Sequence, residues 1–119
     1  MIFSSNSSVL TLNGLGVSQI IQNNGTDVDL KFNLDVVISS SETESIQTNG
    51  GGRSSITFGS LSDLTLKSPV KFAAQDNNGI NLNGILQGEG QFQIGALSRV
   101  NFGSTSDNKS FLGGFKFAS

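Results

Sequence analysis

The sequence predicts an all-β fold: an antiparallel sandwich or jelly-roll-like barrel of about 8–10 short strands, with no long helix. Three observations predict it. From Asp27 to Val36, the apolar Val28, Leu30, Phe32, Leu34 and Val36 alternate with Asp27, Asp29, Lys31, Asn33 and Asp35. A strict period of two is the pattern of a half-buried strand. Five Asn-Gly pairs punctuate the chain at 13–14, 24–25, 49–50, 78–79 and 83–84. Both residues tolerate positive φ, as tight hairpin turns require. Strong helix formers such as Ala, Glu, Lys, Arg and Met are rare, and no long window carries a 3.6-residue period.

The elements follow in order. A strand over 8–12 runs into Asn13-Gly14, and one over 17–22 stops before Asn24-Gly25. The long alternating strand covers 27–38. Strand 54–58 ends at Gly59, 61–67 stops before Ser68-Pro69, and 70–74 follows. After Asn78-Gly79 come 80–86, then 91–95, then 98–102 ending at Gly103, and finally 110–118. Asn24-Gly25 and Asn78-Gly79 are the best hairpin turns. Asn13-Gly14 and Asn83-Gly84 lie inside strand-like runs and read as bulges. Residues 39–53 contain one apolar residue, Ile46, and three consecutive glycines, so they read as a flexible loop or extended hairpin. The whole chain reads as one β domain, with 1–7 as an N-terminal arm.

An internal echo is visible. Ile56-Thr57-Phe58-Gly59-Ser60-Leu61-Ser62-Asp63-Leu64 resembles Phe92-Gln93-Ile94-Gly95-Ala96-Leu97-Ser98-Arg99-Val100, and Phe102-Gly103-Ser104 begins a shorter copy. The unequal spacings do not give a solenoid period. The shared feature reads as a strand that bends at Gly and resumes, as at the corners of sandwiches and small barrels.

Composition narrows the chemistry. Ser, Gly, Asn, Thr and Gln supply 60 of the 119 residues, and charged residues only 13%. There is no His, Cys, Trp or Tyr. Disulfides, thiolate nucleophiles, thiolate zinc sites and Ser-His-Asp or Cys-His machinery are therefore excluded within one chain. No aromatic sugar platform of Trp or Tyr exists. The net charge is −2 and the seven basic residues are scattered, so no phosphate-tracking surface is expected and no nucleic-acid partner. No apolar run resembles a membrane span, and the start lacks the basic and apolar regions of a secretory signal. Met1 before the bulky Ile2 reads as a native start.

Asp27, Asp29 and Asp35 share a strand face and could approach Ca²⁺, but Lys31 lies on the same face and a solvated strand explains them. Asp76-Asn77-Asn78-Gly79 is a fragment of a calcium loop broken by Ile80, so it reads as a turn. Gly50-Gly51-Gly52-Arg53 lacks the Lys-Ser/Thr ending and helix of a phosphate loop. Glu89 would need a second acid to act in glycoside hydrolysis, and Glu42 and Glu44 fall in the expected loop. The triplets at Asn6, Asn24 and Asn108 match a glycosylation pattern by chance. No enzyme, cofactor or metal is expected.

Phe32, Phe58, Phe72, Phe92 and Phe102 read as core. Met1, Ile2 and Phe3 at one end, with Phe111, Phe115 and Phe117 at the other, form the expected assembly interface. Asn49, Gly50, Gly51, Gly52 and Arg53, with Asp76, Asn77 and Asn78, are the expected binding loops. The neutral polar composition resembles that of phage and viral capsid-associated and tail proteins and of extracellular fibre modules. The expectation is a non-enzymatic virion component (minor capsid, penton, cement or decoration protein), made in a host cytoplasm. It would act as a homo-oligomer, a trimer or pentamer, bound to other proteins of the particle. Tail-tube or tail-associated proteins and an adhesin or receptor-binding fibre module are the alternatives.

Overall fold

A computed structural model describes residues 2–14, 20–75, 78–103 and 111–117, with the backbone alone for 3–8. The described residues are all-β, with twelve strands and no helix. These are β1 (Ile2–Gly14), β2 (Ile21–Asn23), β3 (Asp29–Ser40), β4 (Glu44–Thr48), β5 (Ser55–Phe58) and β6 (Leu64–Leu66). There follow β7 (Val70–Ala74), β8 (Gly79–Leu82), β9 (Leu86–Gly88), β10 (Phe92–Ile94), β11 (Val100–Phe102) and β12 (Phe115–Phe117). Every strand pairing is parallel. The chain is thus a parallel β-solenoid of about four turns, and the expected antiparallel sandwich or jelly roll is corrected.

The pairings define three faces. On the first, the start of β1 pairs with the start of β3, which continues through β5 and β8 to β11. On the second, the ends of β1 and β3 continue through β6 to β9, and Gly88 bridges to Phe111. The third runs β2, β4, β7, β10, β12. Because β1 and β3 span two faces, the first two join as one seven-stranded sheet, and the third forms a five-stranded sheet.

Inward positions stack along the axis. Phe32, Phe58, Leu82 and Phe102 are in register on the first face. Val36, Leu64 and Leu86 follow suit on the second. On the third, Ile21, Ile46, Phe72, Ile94 and Phe117 share one position. The interior rungs are closed: Ile46, Ile56, Phe58, Leu66, Val70, Phe72 and Ile80 are all 0% exposed. Alternate side chains line one core while the intervening ones face out, so the period of two survives although the partners differ from those of a hairpin.

The Asn-Gly pairs are corners or strand ends. Asn24-Gly25 joins β2 to β3 at a corner, and Asn78-Gly79 opens β8; neither closes a hairpin. Nor do the other two mark bulges: Asn13-Gly14 ends β1, and Asn83-Gly84 divides the expected strand 80–86 into β8 and β9. The irregularity in β1 lies instead between Ser4 and Val9.

Residues 39–53 are not a loop throughout. Ser39 and Ser40 finish β3, and β4 brings Glu44, Ile46 and Thr48 into the interior. Ser40 Oγ donates to Glu44 Oε1 at 2.8 Å. Polar residues at core positions hid this strand from a hydrophobicity pattern.

The echo at Phe58-Gly59 and Ile94-Gly95 is a repeated corner. Gly59 N–H donates to Phe32 O at 2.8 Å and Gly95 N–H to Phe72 O at 2.9 Å, each one turn back. Ser62 N–H then donates to Gly59 O, and Ser98 N–H to Gly95 O. Gly103 N–H makes the equivalent bond to Leu82 O. The bend at Gly is real, but it leads to the next face of a solenoid.

Candidate functional site

Two regions gather the residues singled out in the sequence, and the solenoid holds them apart. The first is the end formed by β11, Phe111 and β12. Every face delivers phenylalanine to it: Phe102 from the first, Phe111 from the second, and Phe115 with Phe117 from the third. The rings of Phe102, Phe111 and Phe115 cluster across the axis. Phe102 and Phe115 are 6.1 Å apart edge to face, and Phe111 and Phe115 5.2 Å apart. Phe92, one rung deeper, lies 5.9 Å from Phe102 and 5.3 Å from Phe115. Below it Phe72 stacks on Phe92 at 3.9 Å. An aromatic column therefore runs from the closed core to the surface, stacked at its base and tilted to edge-on toward its end.

That column opens to solvent. Phe102 is 41% exposed, Phe115 45% and Phe117 71%, although Leu82 beneath Phe102 and Phe92 beneath Phe115 are buried, and Phe117 continues the stack of the half-buried Ile94 and the buried Phe72. Leu112, 76% exposed, flanks them. Phe102 is a correction: it was expected in the core, and it belongs to this end. The alternation within 98–102 could not show that β11 is the outermost described strand on its face. Of the C-terminal set, Phe111 and Phe115 touch, and Phe117 lies two residues along the same strand as Phe115. Ile2, 63% exposed, lies on the first rung, at the opposite end of the solenoid. Phe3, on that same rung, pairs through its backbone with Phe32 of the next rung, and Met1 lies outside the described residues. The two terminal groups are therefore two surfaces.

The second region is a corner edge. The turns after β2 and β4 and the turn before β8 stack on one another. Asp27 N–H donates to Gly51 O at 3.2 Å, and Arg53 N–H to Asp27 Oδ1 at 2.9 Å. Ser54 Oγ bonds Gly25 O, and Ser54 N–H donates to Asn78 Oδ1 at 2.9 Å. Gly50 approaches the backbone so closely that a Cβ there would meet Gly25 O, and this close approach requires a glycine. Asn49 is exposed, while Gly51, Gly52 and Arg53 form the exposed tip. Asn78 is 3% exposed, so it is a buried corner bracket and not a surface binding residue. Asp76 and Asn77 lie outside the described residues.

Sequence reasoning missed Asn23. It is 6% exposed, and its Nδ2 donates to Val28 O at 2.9 Å and Ser55 O at 2.8 Å, while its Oδ1 accepts from Gly25 N–H. It clamps successive turns at this corner. Asn23→Ala is expected to cost on the order of 2 kcal/mol in urea denaturation, because buried backbone groups lose their partner. Asn24→Ala, next to it and exposed, should stay within about 0.5 kcal/mol of the parent.

The outward faces are polar ladders. Asn101 Nδ2 donates to Asn81 Oδ1, and Asn81 Nδ2 to Thr57 Oγ1. Thr57 Oγ1 and Ser55 Oγ in turn donate to Asp29 Oδ1. Asp35 Oδ1 accepts from Asp63 N–H, and Asp63 Oδ1 from Ile85 N–H. The carboxylates considered for cation binding thus join one rung to the next. Among the described residues, no group of three His, Cys, Asp or Glu side chains is placed to hold a metal ion. Glu89 is exposed on a shallow depression beside Thr65, Lys67 and Gly88. No described helix is long and apolar enough to cross a membrane.

The chain matches no known protein family, no curated protein and no solved structure.

Proposed function

We propose that this chain is a non-enzymatic structural module of a larger assembly, acting by association through the aromatic end of its solenoid. The single observation that carries this reading is the exposure of Phe102, Phe115 and Phe117 at inward-stacking positions. A repeat array exposes its core at an unfinished end, and stable solenoids normally cover that end with a polar capping repeat. Here the last described rung is aromatic. A contiguous apolar patch of this kind marks an interaction surface. The virion setting rests on composition alone.

The test uses the natural source of the protein. Phe117→Asp is expected to lose co-sedimentation with the native assembly, while the circular dichroism spectrum and melting temperature stay those of the parent. Undiminished incorporation of the variant would sink the reading. The substitution falls on an exposed side chain, so a large stability loss is not expected.

A further inference from the structure

We infer that the partner of the aromatic end is the first rung of a second copy of this chain, so that copies stack head to tail along the solenoid axis. This rests on the structural reading above and deepens it by naming the partner.

The two ends are complementary in three respects. The first is main-chain geometry. The five-stranded sheet ends in β12 on one side and β2 on the other. Both are parallel strands that leave one edge unpaired among the described residues, and one edge is what the other lacks. In register, Phe117 of one copy would lie over Ile21 of the next, at the position that already stacks Ile21, Ile46, Phe72 and Ile94. Such edge pairing supplies main-chain hydrogen bonds, and the inward side chains set the register.

The second respect is shape and polarity. Near the first rung lies a cleft of about 490 Å³, lined among the described residues by Leu10, Leu12, Ile20 and Ile21 of that rung and Leu30 and Phe32 of the next, among others. The far end presents exposed phenylalanines. Apolar knobs at one end thus face an apolar hollow at the other.

The third is charge. Residues 1–26 contain no Asp, Glu, Lys or Arg. Edge strands are normally guarded by charges or proline, and neither β1 nor β2 has either. Within 111–117 the sole charged side chain is Lys116. The opposed rungs therefore bring no like charges together.

The contact is heterologous: the surface on one copy differs from that on the next. Each addition leaves a fresh aromatic end, so the product is an open stack of copies. It is not the closed trimer or pentamer expected from sequence.

The test uses the full chain, purified alone, in sedimentation velocity and negative-stain electron microscopy. The parent should grow with concentration into rods of constant width. A tail-blocked variant, Phe117→Asp, and a head-blocked variant, Ile20→Asp, should each weaken self-association by about tenfold or more. Mixed, the two should form a one-to-one dimer, because each keeps the end the other has lost. If Ile20→Asp does not give the parent's circular dichroism spectrum, Gln22→Lys, exposed on the same edge, takes its place. Dimers of the head-blocked variant alone would show a tail-to-tail contact and overturn the inference. A parent that stays monomeric would overturn it too. If in that case native incorporation still depends on Phe117, the structural reading stands with a different partner; if it does not, both fall.

Discussion

Phe72→Ala is expected to lower unfolding free energy by about 3–5 kcal/mol, the range for removing a fully buried aromatic ring. Phe72 is 0% exposed and sits at the middle of the third face, between Ile46 and Ile94. Its ring lies almost parallel to Phe92, 3.9 Å away with 8° between the planes. Truncation removes that stack and leaves a hollow that a continuous parallel sheet cannot easily close. The loss is a large part of the roughly 5–15 kcal/mol that holds an ordinary domain folded. The position also matters for cooperativity, because each rung of a solenoid is held mainly by its neighbours. Weakening a central rung should uncouple the two halves, so urea denaturation should show a broader transition as well as a lower midpoint. Phe117→Ala provides the contrast. The same side-chain type on the same stack is 71% exposed, and its removal should change stability by less than about 0.5 kcal/mol. Equal losses at the two positions would contradict the assignment of β12 as an open end.

Gly88→Ala is expected to cost about 4 kcal/mol, combining backbone strain with steric overlap. Gly88 has φ of +105°, a region that residues with a Cβ rarely adopt. A Cβ there would also meet the carbonyl oxygen of Leu66 and lie 2.9 Å from its amide nitrogen. Gly88 is wedged between rungs: it is in register with Leu66 on one side and bridges to Phe111 on the other. Its carbonyl accepts from Leu112 N–H at 2.8 Å. The obstructing atoms are main chain, so relief requires a shift of the rung itself. Gly114→Ala separates the two contributions. Gly114 has φ of +74° with nothing within 4 Å of a built Cβ, so only the conformational term, about 1–2 kcal/mol, should appear. Thermal unfolding of both variants checks the difference, and comparable losses would remove the argument from close rung packing.

Much of the local structure was legible in the residues. The alternation that marks β3 and the Gly that ends β5 and β10 are patterns readable within a few residues, and these appear where the pattern placed them. β4 was not legible, because Glu44 and Thr48 hold inward positions that a hydrophobicity pattern assigns to solvent. The repeat was hidden for another reason. Paired residues are 29 apart at Ile2 and Lys31, 26 apart at Val9 and Asp35 past the irregularity in β1, and 20 apart at Ile80 and Val100. A fixed period cannot detect coils whose strands align while their corners do not. Of the candidate site, Phe111, Phe115 and Phe117 were found from their clustering near the terminus, whereas Phe102 was indistinguishable from a core residue.

Local chemistry alone, then, settled that this chain would be built of strands with Gly-marked bends, and that His- or Cys-based catalysis was closed to it. Those conclusions follow from side-chain alternation and from the absence of functional groups. The direction of pairing did not follow. An alternating strand has the same inward and outward faces whether its neighbour runs parallel or antiparallel, so its sequence is silent about the partner. Only the assembled coil shows that each strand stacks on one a full turn away. The same coil places the first and last rungs at opposite ends of one axis, and so turns scattered terminal phenylalanines into an open aromatic end.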